Sequence, residues 1–394
     1  MQKTVMKKIS RYKIAVVIPK YGLVGGAEGF AAELTERLAL NDRYEFHVFA
    51  NAWQAASGHI LFHRVPIIRF PKFMVTPSFA IFAEKRLSRI PFDLIHTHDR
   101  IYRADLYTLH GIPHRVWCLD VRKKRFLTLF DRATVAVERR LVTGGRCRRF
   151  LAVSRLTRDI FLKEYPMAAD KVPVIHPGIT ATSHTEDEKK DWRREMRKRF
   201  GVAPAEALIL FVSMNFDIKG LDAVMAGMGQ LQTRDGTPAW KLLVVGKGNE
   251  KHYRGLAERL GIAARVIFSG IVTPETLEEI YLAADLYAML SKFDTFGLVV
   301  LEAMAAGLPV LISGTVGARD IVREGENGFV IEDTGNTKNI ADKLRLMLDE
   351  DVRFRMAQEA RRTAGQYSWE DTASKVETLY RGLLDESVHH HRLL

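Results

Sequence analysis

Apolar residues fall into short runs separated by longer stretches of mixed pattern. The first run, "KIAVVIP" (13–19), is followed by the loop "KYGLVGGAE", an amphipathic stretch "EGFAAELTERLAL" and a second run, "YEFHVFA". Strand, glycine-rich loop, helix and strand in that order make a βαβ unit. "FDLIHTH", "DLYTLHG" and "RRFLAVS" read as further strands, the last feeding a helix near Arg155, and "KVPVIHPG" closes the first half. The polar stretch 179–191, "ITATSHTEDEKKD", reads as a linker region. The alternation then resumes with "ALILFVS", a helix after Lys219-Gly220, "WKLLVVG", a helix from about His252, "RVIFSG" and a helix from Pro274. "LYAML", an apolar helix within 296–304, "PVLIS" and "GFVIE" follow. A long helix over 337–348, shorter turns and "WEDTASKVETLYRGLLDE" complete the chain. Strands alternating with helices predict an α/β fold, a parallel sheet with helices on both faces, built twice. The expected domains are 1–178 and 192–365, with a C-terminal segment over 366–394.

Length and composition agree with this picture. The chain of 394 residues suits two domains, and 47% hydrophobic with 27% charged residues is a globular composition. Cys118 and Cys147 give neither a disulfide framework nor a Cys-x-x-Cys pair, as expected of inert thiols in a reducing cytosol. The basic start (Lys3, Lys7, Lys8, Arg11, Lys13) precedes only a short apolar run, so neither a secretory signal nor a membrane span is expected. Charge changes the picture more. Through Gly178 there are 31 lysines and arginines against 15 acidic residues, a balance of +16, and the remainder has 28 against 32, or −4. The first half is therefore expected to meet something anionic: nucleic acid, anionic lipid or a phosphorylated substrate.

The sharpest chemical signal lies in "SKFDTFGLVVLEAMAAGLPVLISG" (291–314). Asp294 and Glu302 stand eight residues apart, and Phe296 to Met304 is apolar apart from Glu302. A carboxylate is unfavourable in such a run unless something binds it. Eight residues of helix return to within about a quarter-turn of the starting direction, a gap that an irregular entry at Asp294 would close. Two carboxylates facing one crevice at a sheet's carboxyl edge can each take a pair of sugar hydroxyls. An N-cap role explains Asp294 equally well but leaves Glu302 without a reason. Gly25-Gly26, between strand and helix, let an anion approach a helix N-terminus, although the spacing is not Gly-x-Gly-x-x-Gly and a simple tight turn fits as well. Lys219-Gly220 occupy the matching place in the second half, where a lysine can present its charge to phosphate, although taken alone a solvated loop lysine is the better reading. His96, His98 and His110 lie on or after strands, and two imidazoles two residues apart share a strand face. They fall short of a zinc ligand set, so packing or substrate contact is expected. Asp349-Glu350-Asp351 has a metal-binding form but falls at a helix end, where a solvated surface is the better reading.

With these residues in place the chain resembles glycosyltransferase family 4. "DTFGLVVLEAMAAGLPVL" is similar to its signature, a glutamate, seven residues and a second glutamate, and "GGAE", "KG" and "VVGKG" near "IFSG" match its other landmarks in order. Within the family, "YGLVGGAEGF", "ADLYTLHG … DRATVAVERRLVTGG", "VIHPGI" and "SMNFDIKG" look most like members that glucosylate lipopolysaccharide inner-core heptose. The resemblance implies a GT-B fold, two facing Rossmann-like domains with a C-terminal helix crossing back to the first. It implies retaining transfer of a hexose from a nucleotide-diphosphate sugar, UDP-linked, to a lipopolysaccharide core or related glycan, with no cofactor and no obligatory metal. Carried over by position, Gly25 and Gly26 would approach the donor diphosphate and Lys219 would neutralise it. Glu302 would bind the ribose hydroxyls. Asp294 and the backbone of Phe296-Gly297-Leu298 would hold hexose and diphosphate, Ile271 the base, and His110 would lie near the reacting centre. The chain departs from the pattern in three places. Asp294 replaces a glutamate and reaches one methylene less; Met214 stands for an arginine; Ile218 stands for a basic residue before Lys219, leaving Lys247 as a candidate helper.

The segment Arg115–Arg149 holds 11 basic against 3 acidic residues. Phe126, Leu127, Phe130, Val137 and Leu141 recur at helical spacing, with Trp117 and Val121 a turn apart ahead of them. A packed helix with a solvated basic face would show the same stripe. The functional expectation is that Arg122, Lys123, Lys124 and Arg125 meet anionic lipid, placing the protein peripherally on the inner face of the cytoplasmic membrane. No nucleic-acid or protein partner is expected. The competing classes are a non-catalytic binder of anionic membrane or nucleic acid, against which the ordered donor motifs weigh, and a dehydrogenase, which lacks its glycine fingerprint.

Overall fold

The computed structural model describes residues 11–23, 25–54, 57–180, 184–233 and 239–392, the side chains of 232–233 and 387–392 excepted. Lys3, Lys7 and Lys8, residues 181–183 of the expected linker and the side chains of His389 to His391 lie outside them. Residues 1–178 and 369–394 form one compact unit and 179–368 a second.

The first unit holds strands β1 (Tyr12–Val17), β2 (Lys20–Tyr21), β3 (Tyr44–Ala50), β4 (Ala52–Trp53), β5 (Ile60–Arg64), β6 (Leu94–Thr97), β7 (Leu106–Leu109) and β8 (Arg149–Ala152). Its main sheet runs β5-β3-β1-β6-β7-β8 with every pair parallel. Helices α1 (Gly26–Leu38), α2 (Val75–Leu87), α3 (His114–Val116), α4 (Leu129–Thr143) and α5 (Arg155–Glu164) connect the strands. Ile14, Ala15, Val16 and Val17 are all fully buried, as both faces of β1 are covered. One core gathers Val17, Phe79, Ile95, Leu141, Phe150 and Phe161.

The second unit repeats the scheme. Strands β9 (Ala207–Ser213), β10 (Trp240–Gly246), β11 (Val266–Gly270), β12 (Leu286–Met289), β13 (Val310–Ser313) and β14 (Gly328–Ile331) form a parallel sheet in the order β11-β10-β9-β12-β13-β14. Its helices are α6 (Glu186–Arg199), α7 (Leu221–Gly229), α8 (Glu250–Arg259), α9 (Pro274–Ala283), α10 (Leu298–Ala305), α11 (Thr337–Leu348) and α12 (Glu350–Ala364). The last helix, α13 (Trp369–Arg392), belongs to the first unit. It is fixed there by Glu370 to Arg37 (2.8 Å) and by the Tyr380 hydroxyl to His96 Nδ1 (2.7 Å).

Three expectations are corrected. The expected linker is helical from Glu186: Thr185 and Glu188 form a capping box, and Arg193 and Arg197 of α6 donate to Asp285 at 2.6 and 3.0 Å. Anchored by arginines, α6 shows little apolar stripe. The turns expected after α11 are the 15-residue helix α12, whose cap Asp349 accepts from Val352 N at 3.0 Å. Phe126 and Leu127 do not continue the stripe of α4, because Thr128 caps that helix and starts it at Leu129. Among the described residues no helix is long and apolar enough to cross a membrane.

Candidate active site

In both sheets the order of connection reverses between the first and fourth strands, β1 and β6 in one unit, β9 and β12 in the other. Open parallel sheets bind ligands outside the strands' carboxyl ends at that reversal. In the second unit Lys219 follows β9 and Asp294 follows β12, so the two flank it. Lys219 Nζ is ion-paired with Asp294 Oδ2, with side chains 24% and 14% exposed. The loops are stitched together beneath this pair. Asn215 N donates to Ser213 Oγ (2.8 Å) and Ile218 N to Asn215 Oδ1 (3.1 Å), while Ile218 O accepts from Lys292 N (2.8 Å) and Ser291 Oγ (2.9 Å). Gly220 has φ 73°, and a Cβ there would lie 1.9 Å from Leu290 O, so only glycine allows this approach.

Asp294 precedes the helix that carries Glu302, and the entry between them is irregular. Asp294 lies in an extended segment bridged to Val316, with Asp294 N donating to Thr315 O at 3.0 Å. Gly297, at φ 90°, then turns the chain into α10 behind the buried Phe296. Glu302 Oε2 accepts from the Tyr281 hydroxyl of α9 at 2.9 Å. Burial pushes the Glu302 carboxyl above its ordinary range against the opposing Tyr281 bond. The Tyr287 hydroxyl is raised by burial first and then by the charges of both Glu302 and Asp294, so the two carboxylates act on one locality. Tyr281 and Tyr287 escaped the sequence reading because no spacing links a tyrosine on α9 or β12 to Glu302.

Lys247 and Ile271 follow β10 and β11 on the same carboxyl edge, both exposed. Lys247 N donates to Ser213 O at 2.9 Å, which docks that turn on the β9 loop. Met214 is 58% exposed, and Ile218 serves the loop through its backbone.

In the first unit Gly25 and Gly26 open α1, directly after the β1 connection. Gly25 has φ 151°, and a Cβ on it would meet the Glu28 carboxylate at 2.1 Å, whereas Gly26 faces open space. The three imidazoles gather beside β6 and β7. His96 is spent on packing, its Nδ1 at 2.7 Å from the Tyr380 hydroxyl and its Nε2 at 2.7 Å from Thr108 Oγ1. His98 Nδ1 lies 2.8 Å from His110 Nε2, and His110 packs edge-on against Phe30. Burial pushes His96 and His110 down to about 3 and lowers His98 as well, so all three rings are neutral near pH 7. Arg122, Lys123 and Arg125 are exposed, but Lys124 is not free as expected: its Nζ binds both Asp131 oxygens, at 3.0 and 2.8 Å.

Residues 24–183 match the model of Glycosyltransferase Family 4 and residues 193–364 that of Glycosyl transferases group 1. The D-inositol 3-phosphate glycosyltransferase of Corynebacterium urealyticum is 34% identical over 322 residues, 77% of this chain and 74% of that one. The chain belongs to glycosyltransferase family 4. Against several other D-inositol 3-phosphate glycosyltransferases the match spans about half of their length. Solved structures that share the fold of this family 4 glycosyltransferase include the following two. WaaG, a glycosyltransferase involved in lipopolysaccharide biosynthesis, superposes with a TM-score of 0.76 at 21% identity, over 92% of this chain and 98% of that one. Anabaena HepE in complex with UDP-glucose gives 0.70 at 22% identity, over 94% and 99%. The fold is GT-B.

Proposed function

We propose that this glycosyltransferase moves a hexose, with retention of configuration, from a UDP-linked sugar to a lipopolysaccharide core or related glycan. The observation that carries the reading is the Lys219–Asp294 pair at the strand reversal of the second sheet. An arriving diphosphate supplies a new countercharge for Lys219 and frees Asp294 to accept hydroxyls of the hexose. Glu302, oriented by Tyr281, accepts the ribose hydroxyls, with Ile271 against the base and the backbone of Phe296, Gly297 and Leu298 beside hexose and diphosphate. As the anomeric C–O bond breaks, charge builds on the departing phosphate oxygen, and Lys219 stabilises it where it forms. The acceptor hydroxyl attacks from the leaving group's own face and passes its proton to the departing phosphate, which gives retention without a carboxylate nucleophile. Lys219, with Lys247 nearby on the same edge, takes the role a divalent metal plays elsewhere. Family membership extends the assignment to Gly25, Gly26 and His110. The bound ligand of HepE and the biosynthetic role of WaaG support the donor and acceptor classes.

The same protein is proposed to act at an anionic membrane surface. Phe70, Phe126 and Leu129 are 88%, 77% and 68% exposed, beside the exposed Arg69, Lys72, Arg122, Lys123 and Arg125. Aromatic side chains among basic ones suit an interface with anionic headgroups.

The test is turnover of a panel of sugar nucleotides with and without core oligosaccharide acceptor, the product anomer read by NMR. UDP-hexose consumption that depends on acceptor and retains configuration is expected. No turnover of any sugar nucleotide overturns the reading. Turnover lost on chelation and restored by magnesium or manganese overturns the metal-free part.

A further inference from the structure

We propose that His114, Cys118 and Asp131 form a binding site for one zinc-class divalent cation, in the first unit and sharing no residue with the donor site. The three come from two elements: His114 opens α3, Cys118 follows four residues later on the same helical path, and Asp131 lies in the first turn of α4. Four residues is the spacing that stacks two ligands on one helical face. The candidate ligand atoms are mutually close. His114 Nε2 is 3.1 Å from Asp131 Oδ1, Cys118 Sγ is 3.2 Å from the same oxygen, and Sγ is 3.5 Å from Nε2. Around a tetrahedral zinc with bonds of about 2.0–2.3 Å, ligand atoms stand roughly 3.3–3.6 Å apart. The triangle therefore needs to open by only a few tenths of an ångström.

The two oxygens of Asp131 divide their work. Oδ1 faces His114 and Cys118, while Oδ2 accepts from Thr128 N (2.9 Å) and Thr128 Oγ1 (2.7 Å). Oδ1 can take a cation without loss of the α4 cap, and the Thr128 bonds hold the carboxylate as bonds behind a metal ligand do. Cys118 and Asp131 side chains are buried, and His114 is 14% exposed. All three line a cavity of about 580 Å³ with Trp117 and Lys124, which leaves room for water at a fourth position. Thiolate, imidazole and carboxylate together select zinc over magnesium or calcium.

The competing occupant is the Lys124 ammonium, which pairs with Asp131. Its side chain is 37% exposed and can leave toward solvent. The two readings make opposite demands. On cation binding Lys124 is displaced, Cys118 gives up its thiol proton to solvent, and the site gains a metal–sulfur bond. With Lys124 as the permanent occupant none of this happens.

The test uses the full chain with His389, His390 and His391 changed to serine, which removes a competing run of imidazoles. After chelation it is titrated with cobalt and zinc by calorimetry and absorption. One ion per chain is expected, with a thiolate-to-cobalt charge-transfer band and one proton released per ion across buffers of different ionisation enthalpy. Cys118→Ser and His114→Gln should lose the band. Lys124→Gln keeps all three ligands and should bind at least about tenfold more tightly, since a competing cation is gone. The idea is overturned by the absence of stoichiometric uptake in Lys124→Gln, by a band that survives Cys118→Ser, or by weaker binding in Lys124→Gln than in the parent.

Discussion

Lys219 and Asp294 neutralise one another, so the charges that would receive a diphosphate and a hexose are held ready at one point. Lys219→Ala should lower kcat by about 100- to 1000-fold, the usual loss when one preorganised donor to a developing oxyanion is removed. The fold should survive with a modest loss of thermal stability, because Asp294 is left without its partner but keeps some access to solvent. Near-normal turnover at saturating donor would refute the phosphate assignment. Glu302→Gln should act differently. Ribose contacts are made before and during reaction, so donor affinity should drop about tenfold while kcat at saturation stays close to the parent's. A fall in kcat with unchanged affinity would move Glu302 from binding to chemistry. At this scale much was legible: a lone glutamate in an apolar run announces a bound group. What was not legible is what it binds. Tyr281 reaches Glu302 from another helix, and the Asp294–Lys219 pairing joins loops 75 residues apart, contacts that exist only once the sheet order is set.

The connection from β9 to α7 shows how an element positions a side chain. Its glycine at 220 takes φ 73° and brings the backbone against Leu290, which fixes where Lys219 emerges. Gly220→Ala adds an unfavourable backbone angle and a carbon within the carbonyl's van der Waals shell. A loss of more than about 2 kcal/mol in urea unfolding is expected, together with reduced turnover. Unchanged stability and unchanged turnover would mean that the loop tolerates displacement and does not position Lys219. Most main-sheet strands and α11 were readable because apolar runs and stripes report burial directly, whereas β5, where only Ile60 is buried, was not. Helices α6 and α12 were missed for a shared reason. Both are rich in charge, and α6 is held by Arg193 and Arg197 on Asp285 rather than by a continuous apolar face. Loop chemistry hid the start of α4 similarly: the periodicity through Phe126 was real in sequence, but the Thr128–Asp131 capping box sets the boundary.

At the scale of the molecule the buried histidines that answer acid lie in the first unit. His96, His98 and His110 in the first unit are held neutral by burial, with folded values below the ordinary 6.5. Between those values and 6.5 the unfolded chain binds more protons, so their stabilising contribution is complete above about pH 6.5 and is lost as pH falls. In the second unit the shifts of Glu302, raised by burial, and Asp285, lowered by Arg193 and Arg197 against its burial, have opposite signs. Hydrogen exchange between pH 7 and 5 should therefore show β1 and β6 losing protection before β9 and β12; equal or reversed loss would contradict this. Charge is also divided, +16 through Gly178 against −4 beyond it. The sequence made that asymmetry plain, whereas the exposed Phe70 and the engagement of Lys124 by Asp131 became visible only in the fold. Each exposed basic residue near an anionic bilayer contributes roughly 1 kcal/mol, which falls with salt, and Phe126 adds apolar insertion. Co-sedimentation should show binding to anionic vesicles that weakens as salt rises and is nearly absent with neutral ones. Arg122→Gln, Lys123→Gln and Arg125→Gln together should remove most of it, and Phe126→Ser should weaken what remains, whereas Lys124→Gln should matter least because its charge is already matched. Equal binding to neutral and anionic vesicles, or full binding by the triple variant, would show that this face does not dock on lipid.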